Sequence, residues 1–300
     1  MAGDDARDRV AEFAAGQGLP PDFAETARRT YAPIARAAAE RAKAAPGLFV
    51  LGLCGPQGSG KSTGAAVLAL LIEEAGLRSA VLSLDDLYLT RAARERLAAQ
   101  VHPLFVTRGV PGTHDVALGL AVLDGLATRR EAVALPRFDK ARDDPCPAAE
   151  WPVVPAGLDV LVFEGWCLGA RAEPVEALAV PINDLERTED PDGVWRGHVN
   201  AALAGPYRAL FERPDMLVML RAPDFPTVAG WREEQEAKLR ASIRSGDASR
   251  VMDAAGVARF VQHYERTTRQ IDREMPTRAD VVMALNKRRG VSRVDWHETA

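Results

Sequence analysis

Cysteine is scarce: three occur in 300 residues, at 54, 146 and 167, and none forms a C-x-x-C pair. The five histidines are as scattered. A disulfide framework and a Cys/His metal site are both excluded by that spacing, and the thiols read as packed side chains in a reducing cytoplasm. No apolar run approaches the ~20 residues that cross a bilayer, and nothing resembles a signal peptide. Net charge is nearly absent too. The 38 Lys and Arg set against 42 Asp and Glu leave −4, which gives no electrostatic footprint for nucleic acid or an anionic membrane. Internal repeats and long low-complexity linkers are missing. What remains, 47% hydrophobic and 27% charged, is the composition of a globular chain with one large core and insertions. Oligomeric state has no signature here.

The apolar residues fall into short runs separated by longer helical stretches. Strands are expected at 48–53 (LFVLGL), 79–84 (SAVLSL), 158–164 (LDVLVFE), 215–220 (DMLVML) and 279–285 (ADVVMAL), each continuous and apolar, as strands buried on both faces are. Such a pattern predicts an α/β fold with a mostly parallel central sheet and helices on both sides. Residues 1–46, rich in Ala, Arg and Glu, are expected to form a helical N-terminal extension to a domain spanning 47–300. A polar stretch broken by DPDG suggests a mobile helical lid within about 166–212.

Immediately after the first strand stands CGPQGSGKST, which contains G-x-x-x-x-G-K-[ST]. Glycines at 55, 58 and 60 let the backbone turn tightly and aim its N–H groups inward, and the helix that follows attracts anions to its N-terminus. Gly55, Pro56, Gln57, Gly58, Ser59, Gly60, Lys61, Ser62 and Thr63 therefore form a candidate nucleotide-phosphate cradle. Lys61 would reach the β- and γ-phosphates and Ser62 would bind Mg²⁺. The cradle identifies a phosphate donor such as ATP and leaves the destination of the phosphate open.

Two acids follow at strand ends. LSLDDLYLT puts Asp85 and Asp86 at the carboxyl end of the second strand, the edge where open α/β sheets bind ligands. Asp85 would accept the proton of an attacking hydroxyl, with Asp86 in a capping or orienting role. In LVFEGWCLG, Glu164 ends the third strand in the manner of a Walker B acid that holds Mg²⁺ or its water. Basic and hydrogen-bonding residues come in two further loops: Arg108 and His114 in TRGVPGTHD, and Arg137, Asp139 and Lys140 in LPRFDK. A guanidinium there can grip an anionic acceptor, or these can be surface charges. Asp139 would bind the acceptor's hydroxyl or pair with Lys140, and Asp115 is an evident N-cap. Arg232, Glu236 and Arg240 share one helical face, where arginines could close over phosphates or merely stitch a solvated helix. Arg244 suits the second role. Trp195 and Arg196 pose the same choice, and Asn286 and Lys287 are weak candidates to border a base.

GPQGSGKST, SLDDLYLT, RGVPGTHD, LPRFDKARDDP, FEGWCLG, NDLE, WREEQEAKLR and MPTRADVVMALNK, in this order, resemble the plant- and yeast-type D-glycerate 3-kinase family. That family lies within the P-loop superfamily of uridine kinase, phosphoribulokinase and bacterial pantothenate kinase. The resemblance runs from about 48 to about 290 and leaves the N-terminal extension uncovered. It implies ATP- and Mg²⁺-dependent phosphorylation of the primary hydroxyl of D-glycerate. Asp85 then matches the general base, Arg232 a lid arginine, and Asp86, Tyr88, Arg108, His114, Arg137, Asp139 and Lys140 the acceptor side. A pantothenate- or uridine-kinase-like phosphotransferase is the alternative, although its pocket should be more apolar than these loops. A non-kinase P-loop NTPase is a more distant one: a GTPase switch should carry D-x-x-G and N-K-x-D, whereas the chain reads FEGW and NKRR.

Overall fold

The computed structural model describes residues 8–242 and 252–297. Six strands form the central sheet: β1 (Phe49–Cys54), β2 (Ser79–Ser83), β7 (Val160–Gly165), β8 (Met216–Arg221), β9 (Val281–Leu285) and β10 (Val291–Trp296). Their order is β10-β9-β8-β1-β7-β2, parallel except for the antiparallel edge strand β10. Two small ribbons pair β3 (Val133–Ala134) with β6 (Val153–Val154) and β4 (Phe138–Asp139) with β5 (Asp144–Pro145). The five expected strands are present within two residues of their predicted ends. The hairpin that adds β10 is a departure from the expected strands, because VSRVDW is half-exposed and lacks the apolar continuity of a buried strand.

Side chains alternate across the sheet, so each face builds its own core. Leu51, Leu53, Val160, Val162, Val218 and Met283 pack under α3 (Lys61–Glu74) together with α1 (Arg9–Gly16) and α2 (Phe23–Ala44). On the opposite face Val50, Leu82, Phe163, Leu217 and Val282 meet α5 (Val116–Thr128), α8 (Pro206–Phe211) and α10 (Ala254–Glu274). The helix α2 packs beside α3 against the same face, its Arg41 lying over the ring of Phe49 on β1, and Val10, Ile34 and Ala38 are fully buried. A smaller cluster joins Phe105, close to α4 (Arg91–Gln100), to Leu185 of α6 (Asp184–Glu189) and to Trp195 and Val199 of α7 (Val194–Ala204). The stretch read as a lid carries α6, α7 and α8. Arg196 within it is buried and ion-paired with buried Asp190 at 2.9 Å, so it is a structural residue and holds no phosphate.

The helix α9 spans Phe225–Ser242. Arg244 and the side chain of Arg240 lie outside the described residues. Cys54 and Cys167 are buried thiols, as expected, and burial pushes Cys54 up to about 12. No described helix is long and apolar enough to cross a membrane.

Candidate active site

β1 delivers the chain into the glycine-rich loop at the carboxyl edge of the sheet. Gly58 and Gly60 take φ of +76° and +84°, a region that disfavours side chains. Gly58 has a second constraint: a Cβ there would lie 2.6 Å from Cβ of Trp231 on α9. α3 then starts at Lys61 with no side chain capping its first turn, so the backbone donors of that turn face the loop. Among the described residues no carboxylate is ion-paired with Lys61. Ser62 Oγ donates to Glu164 Oε1 at 2.8 Å, while Glu164 Oε2 is buried without a partner among the described residues. The end of β7 and the start of α3 therefore bring together the hydroxyl and the acid expected to meet.

Next to this cradle, β2 ends in a 3₁₀ turn (Leu84–Leu87). Its N-cap is Ser83, whose hydroxyl accepts from the Asp85 N–H at 3.2 Å. The helix that follows is capped by Thr90, which accepts from Ala93 N, so of the capping and orienting roles expected for Asp86 only the second is left. Asp86 instead accepts from the Phe138 N–H at 3.2 Å and from Arg137 at 3.3 Å, which docks the PRFDK segment. Its carboxyl is raised, by burial first, against the pull of Arg137. Asp85 accepts from the Tyr88 hydroxyl at 2.8 Å and from Lys140 Nζ at 2.7 Å. Burial pushes the Asp85 carboxyl up, but the charges of Lys140 and Lys61 and the two hydrogen bonds outweigh it, leaving it well below the usual carboxylate range.

The acceptor-side residues do converge, already paired with one another. Arg108 is ion-paired with Asp143 and lies over the rings of Tyr88 and Phe138, 6.0 and 5.4 Å from their centroids. Lys140 pairs with Asp85 and not with Asp139, whose carboxylate accepts the N–H groups of Ala141 and Arg142 and pairs with the Arg142 guanidinium. His114 is buried, stacked on Tyr88 with centroids 4.7 Å apart. Backbone bonds from Leu89 N to Thr113 O and from Asp115 N to Leu87 O tie SLDDLYL to RGVPGTHD. Asp115 caps α5 as expected, accepting from Leu118 N at 2.9 Å. On α9, Arg232 donates to buried Glu236 at 2.6 Å and lies over the Phe260 ring, within the electrostatic reach of Tyr264. Asn286 turns the β9–β10 hairpin by accepting from Arg288 N and Gly290 N, and Lys287 offers its carbonyl to Trp231 Nε1 at 2.8 Å.

Several residues that build the site were missed. Asp143 bridges Arg108 and the buried Arg94, and Tyr264 of α10 donates to the Arg108 carbonyl at 2.9 Å. Trp166 Nε1 donates to the Gly109 carbonyl at 2.8 Å, and Arg289 donates to the Gly58 carbonyl at 2.7 Å while lying over Trp231. Tyr207 of α8 reaches His114. Aromatic residues in helices far along the chain announce packing, not contact with a loop 90 or more residues away. Asp143, inside LPRFDKARDDP, and Trp166, inside FEGWCLG, lay within reach of a local reading.

A cavity of about 490 Å³ opens on the other side of Trp166, between α10, the start of α9 and the loop carrying Val180 and Ile182. It touches the cradle only at Gly55 and Pro56, next to Cys54 at the end of β1, and includes none of the acceptor-side residues.

A parallel sheet with a glycine-rich phosphate loop after its central strand, a strand-end acid bonded to the loop's serine and a carboxylate beside them define a P-loop kinase. No protein-family model matches the chain. It is 35% identical over 227 residues to an uncharacterised kinase of Schizosaccharomyces pombe, covering 72% of this chain and 78% of that one. It is 28% identical over 241 residues to a chloroplastic D-glycerate 3-kinase of Arabidopsis thaliana, covering 77% of this chain and 50% of that one. A solved D-glycerate 3-kinase of Cryptococcus neoformans superimposes with a TM-score of 0.73 at 24% identity, over 90% of this chain and 99% of the other, which is a likeness of fold. The chain belongs to the D-glycerate 3-kinase-like family of P-loop kinases, and it is a nucleotide-using small-molecule kinase.

Proposed function

We propose that this kinase transfers the γ-phosphate of ATP to the primary hydroxyl of a small anionic hydroxy acid, with D-glycerate, giving 3-phosphoglycerate, as the leading acceptor. One observation carries the reading: an ionised carboxylate, Asp85, beside the phosphate cradle, bonded to Lys140 and in the field of Lys61. Arg108, Arg137 and His114 line the same side, and one relative is named a D-glycerate 3-kinase.

In this reading the acceptor's hydroxyl donates to Asp85 and its oxygen attacks the γ-phosphorus. The hydroxyl proton passes to Asp85 as the bond from phosphorus to the β–γ bridging oxygen breaks, and Lys61 balances charge gathering on the phosphates. Lys140, with a side chain 63% exposed, is the cation most readily recruited from its present partner, because an exposed ion pair holds it by only ~0–1 kcal/mol. Its transfer to the acceptor's carboxylate would let the Asp85 pKa rise, so that basicity appears when the acceptor is bound. Arg108 would add a bidentate grip once shared with Asp143. Ser62 and Glu164 suit Mg²⁺: both offer oxygen, and one buried carboxylate oxygen lacks a partner. When bound, the ion would neutralise charge on the phosphates. Arg232 would clamp phosphate from α9. The chemistry is assigned to 47–300, with the helices of 1–46 as a buttress beside α3.

The test is ADP release against a panel of hydroxy acids, pantothenate, uridine and ribulose 5-phosphate, followed by phosphorus NMR of the product. Turnover of D-glycerate to 3-phosphoglycerate is expected, with glycerol and glyceraldehyde poor acceptors because they leave the cations unmatched. Turnover of pantothenate or uridine without D-glycerate would overturn the reading.

A further inference from the structure

Tyr207 is 1% exposed, and its hydroxyl oxygen sits where three groups of the RGVPGTHD loop converge. The backbone N–H groups of Gly112 and His114 donate to it at 2.9 and 3.1 Å, and His114 Nδ1 lies 2.7 Å away. A phenolic oxygen has two lone pairs and one proton. With both lone pairs taken by backbone donors, the third bond must run from the hydroxyl to Nδ1. Nδ1 is then the acceptor, and the proton of the neutral imidazole resides on Nε2. Burial keeps the ring neutral, lowering its pKa to about 4 against the opposing pull of Asp85.

His114 Nε2 is buried and has no hydrogen-bond partner among the described residues. A buried N–H left in that condition costs about 1 to 3 kcal/mol, so its retention is not explained by stability. Its surroundings point to the reaction. The ring stacks on Tyr88 at 4.7 Å and 27°, and Tyr88 donates to Asp85, the carboxylate assigned to the acceptor's hydroxyl. We infer that Tyr207 is a positioning residue that fixes His114 as its Nε2–H tautomer, so that this N–H donates to an oxygen of the phosphoryl acceptor beside Asp85. The loop is built to hold that geometry. Thr113 Oγ1 accepts from Gly109 N and donates to Val110 O, and Gly112 turns at φ +101°. A neutral donor suits a place beside Asp85, because an imidazolium there would compete for the carboxylate that must accept a proton.

The inference rests on the kinase reading only for the oxygen that receives the bond; the tautomer is a property of the free protein. Nitrogen NMR of protein labelled with ¹⁵N-histidine reads it directly, with His114→Gln identifying the signal among the five histidines. The expected spectrum shows His114 protonated at Nε2 alone at pH 7, and Tyr207→Phe shows a mixture of tautomers or the Nδ1–H form. In steady-state kinetics, with whichever acceptor the panel identifies, Tyr207→Phe should raise the acceptor's KM roughly five- to a hundredfold while the KM for ATP holds. His114→Gln, which can place an amide N–H near the Nε2 position, should retain more acceptor affinity than His114→Ala. An Nδ1–H signal in the unaltered protein refutes the inference even if Tyr207→Phe fails to fold. Equal acceptor KM values for His114→Gln, His114→Ala and the unaltered protein refute the donated bond. If D-glycerate is not a substrate but the tautomer is as stated and another acceptor shows the KM effect, the acceptor assignment falls and this inference stands.

Discussion

Asp85→Asn separates chemistry from architecture better than any other single change. The substitution keeps the side chain's shape and leaves an oxygen for the Tyr88 hydroxyl, now 2.8 Å away. It removes the counter-charge of Lys140, whose Nζ is 2.7 Å from the carboxylate. The Lys140 side chain is 63% exposed and the Asp85 side chain 21%, so water screens the pair from the lysine side and it contributes about 1 kcal/mol to folding. The melting temperature should therefore fall by only about 2 to 4 °C. Catalysis should respond very differently, since an amide cannot take the hydroxyl proton. Loss of a positioned base costs roughly 10²- to 10⁴-fold in kcat, or about 2.7 to 5.4 kcal/mol of barrier at 1.36 kcal/mol per decade. Initial rates of ADP release at saturating ATP and acceptor, run beside thermal melts, give both numbers. The nucleotide KM should change little, because the hydrogen bonds of Asp85 run to Ser83, Tyr88 and Lys140 and none to the cradle, which it reaches only through the field of Lys61. Near-normal kcat in Asp85→Asn, or an equal or larger loss in Asp86→Asn, would refute the assignment of the base.

Gly58→Ala forces a side chain into φ +76° and against Trp231 at 2.6 Å, so it should destabilise the protein by about 1 to 3 kcal/mol and raise the KM for ATP, as chemical denaturation and kinetics would report. Ser62→Ala should raise the Mg²⁺ concentration needed for half-maximal rate, and an unchanged Mg²⁺ titration removes Ser62 from the metal site. Arg196→Met strips the buried Asp190 of its partner and should cost about 3 to 5 kcal/mol in denaturation midpoints. His114 has a folded pKa of about 4, below the ~6.5 of an unfolded chain, so the unfolded state binds the extra proton. Its contribution is thus complete above pH 6.5 and is lost as pH falls from 6.5 to about 4; His263, also lowered to about 4, acts in the same direction. Urea midpoints between pH 7 and 5 should fall less steeply in His114→Gln than in the unaltered protein.

Local chemistry carried most of the fold into view. A buried parallel strand must be a continuous apolar run, a phosphate loop must place glycines where φ is positive, and an N-cap must offer an oxygen to its own helix. Such requirements are met within ten residues or fewer, so β1, β2, β7, β8, β9, the cradle and the Asp115 cap are legible directly. The strand-end acids Asp85 and Glu164 are legible for the same reason, since a sheet's carboxyl edge follows from strand direction. β10 escaped because an edge strand need not be apolar on both faces.

Partners lie on the other side of that boundary. Whether Lys140 faces Asp139 or Asp85, whether Asp86 caps the following helix or docks Arg137, and whether Arg196 meets phosphate or a buried carboxylate all depend on loops brought together by the sheet. A charge exerts its effect over a few ångströms of space, and sequence separation places no bound on which opposite charge comes that near. The tautomer of His114 is the extreme case: it turns on one hydroxyl 93 residues away, whose two lone pairs are filled by backbone donors that only the folded loop presents. The residues alone determined the class of chemistry and the edge of the sheet where it occurs. The packing of α8 and α10 against that edge decided which groups are paired and which are buried.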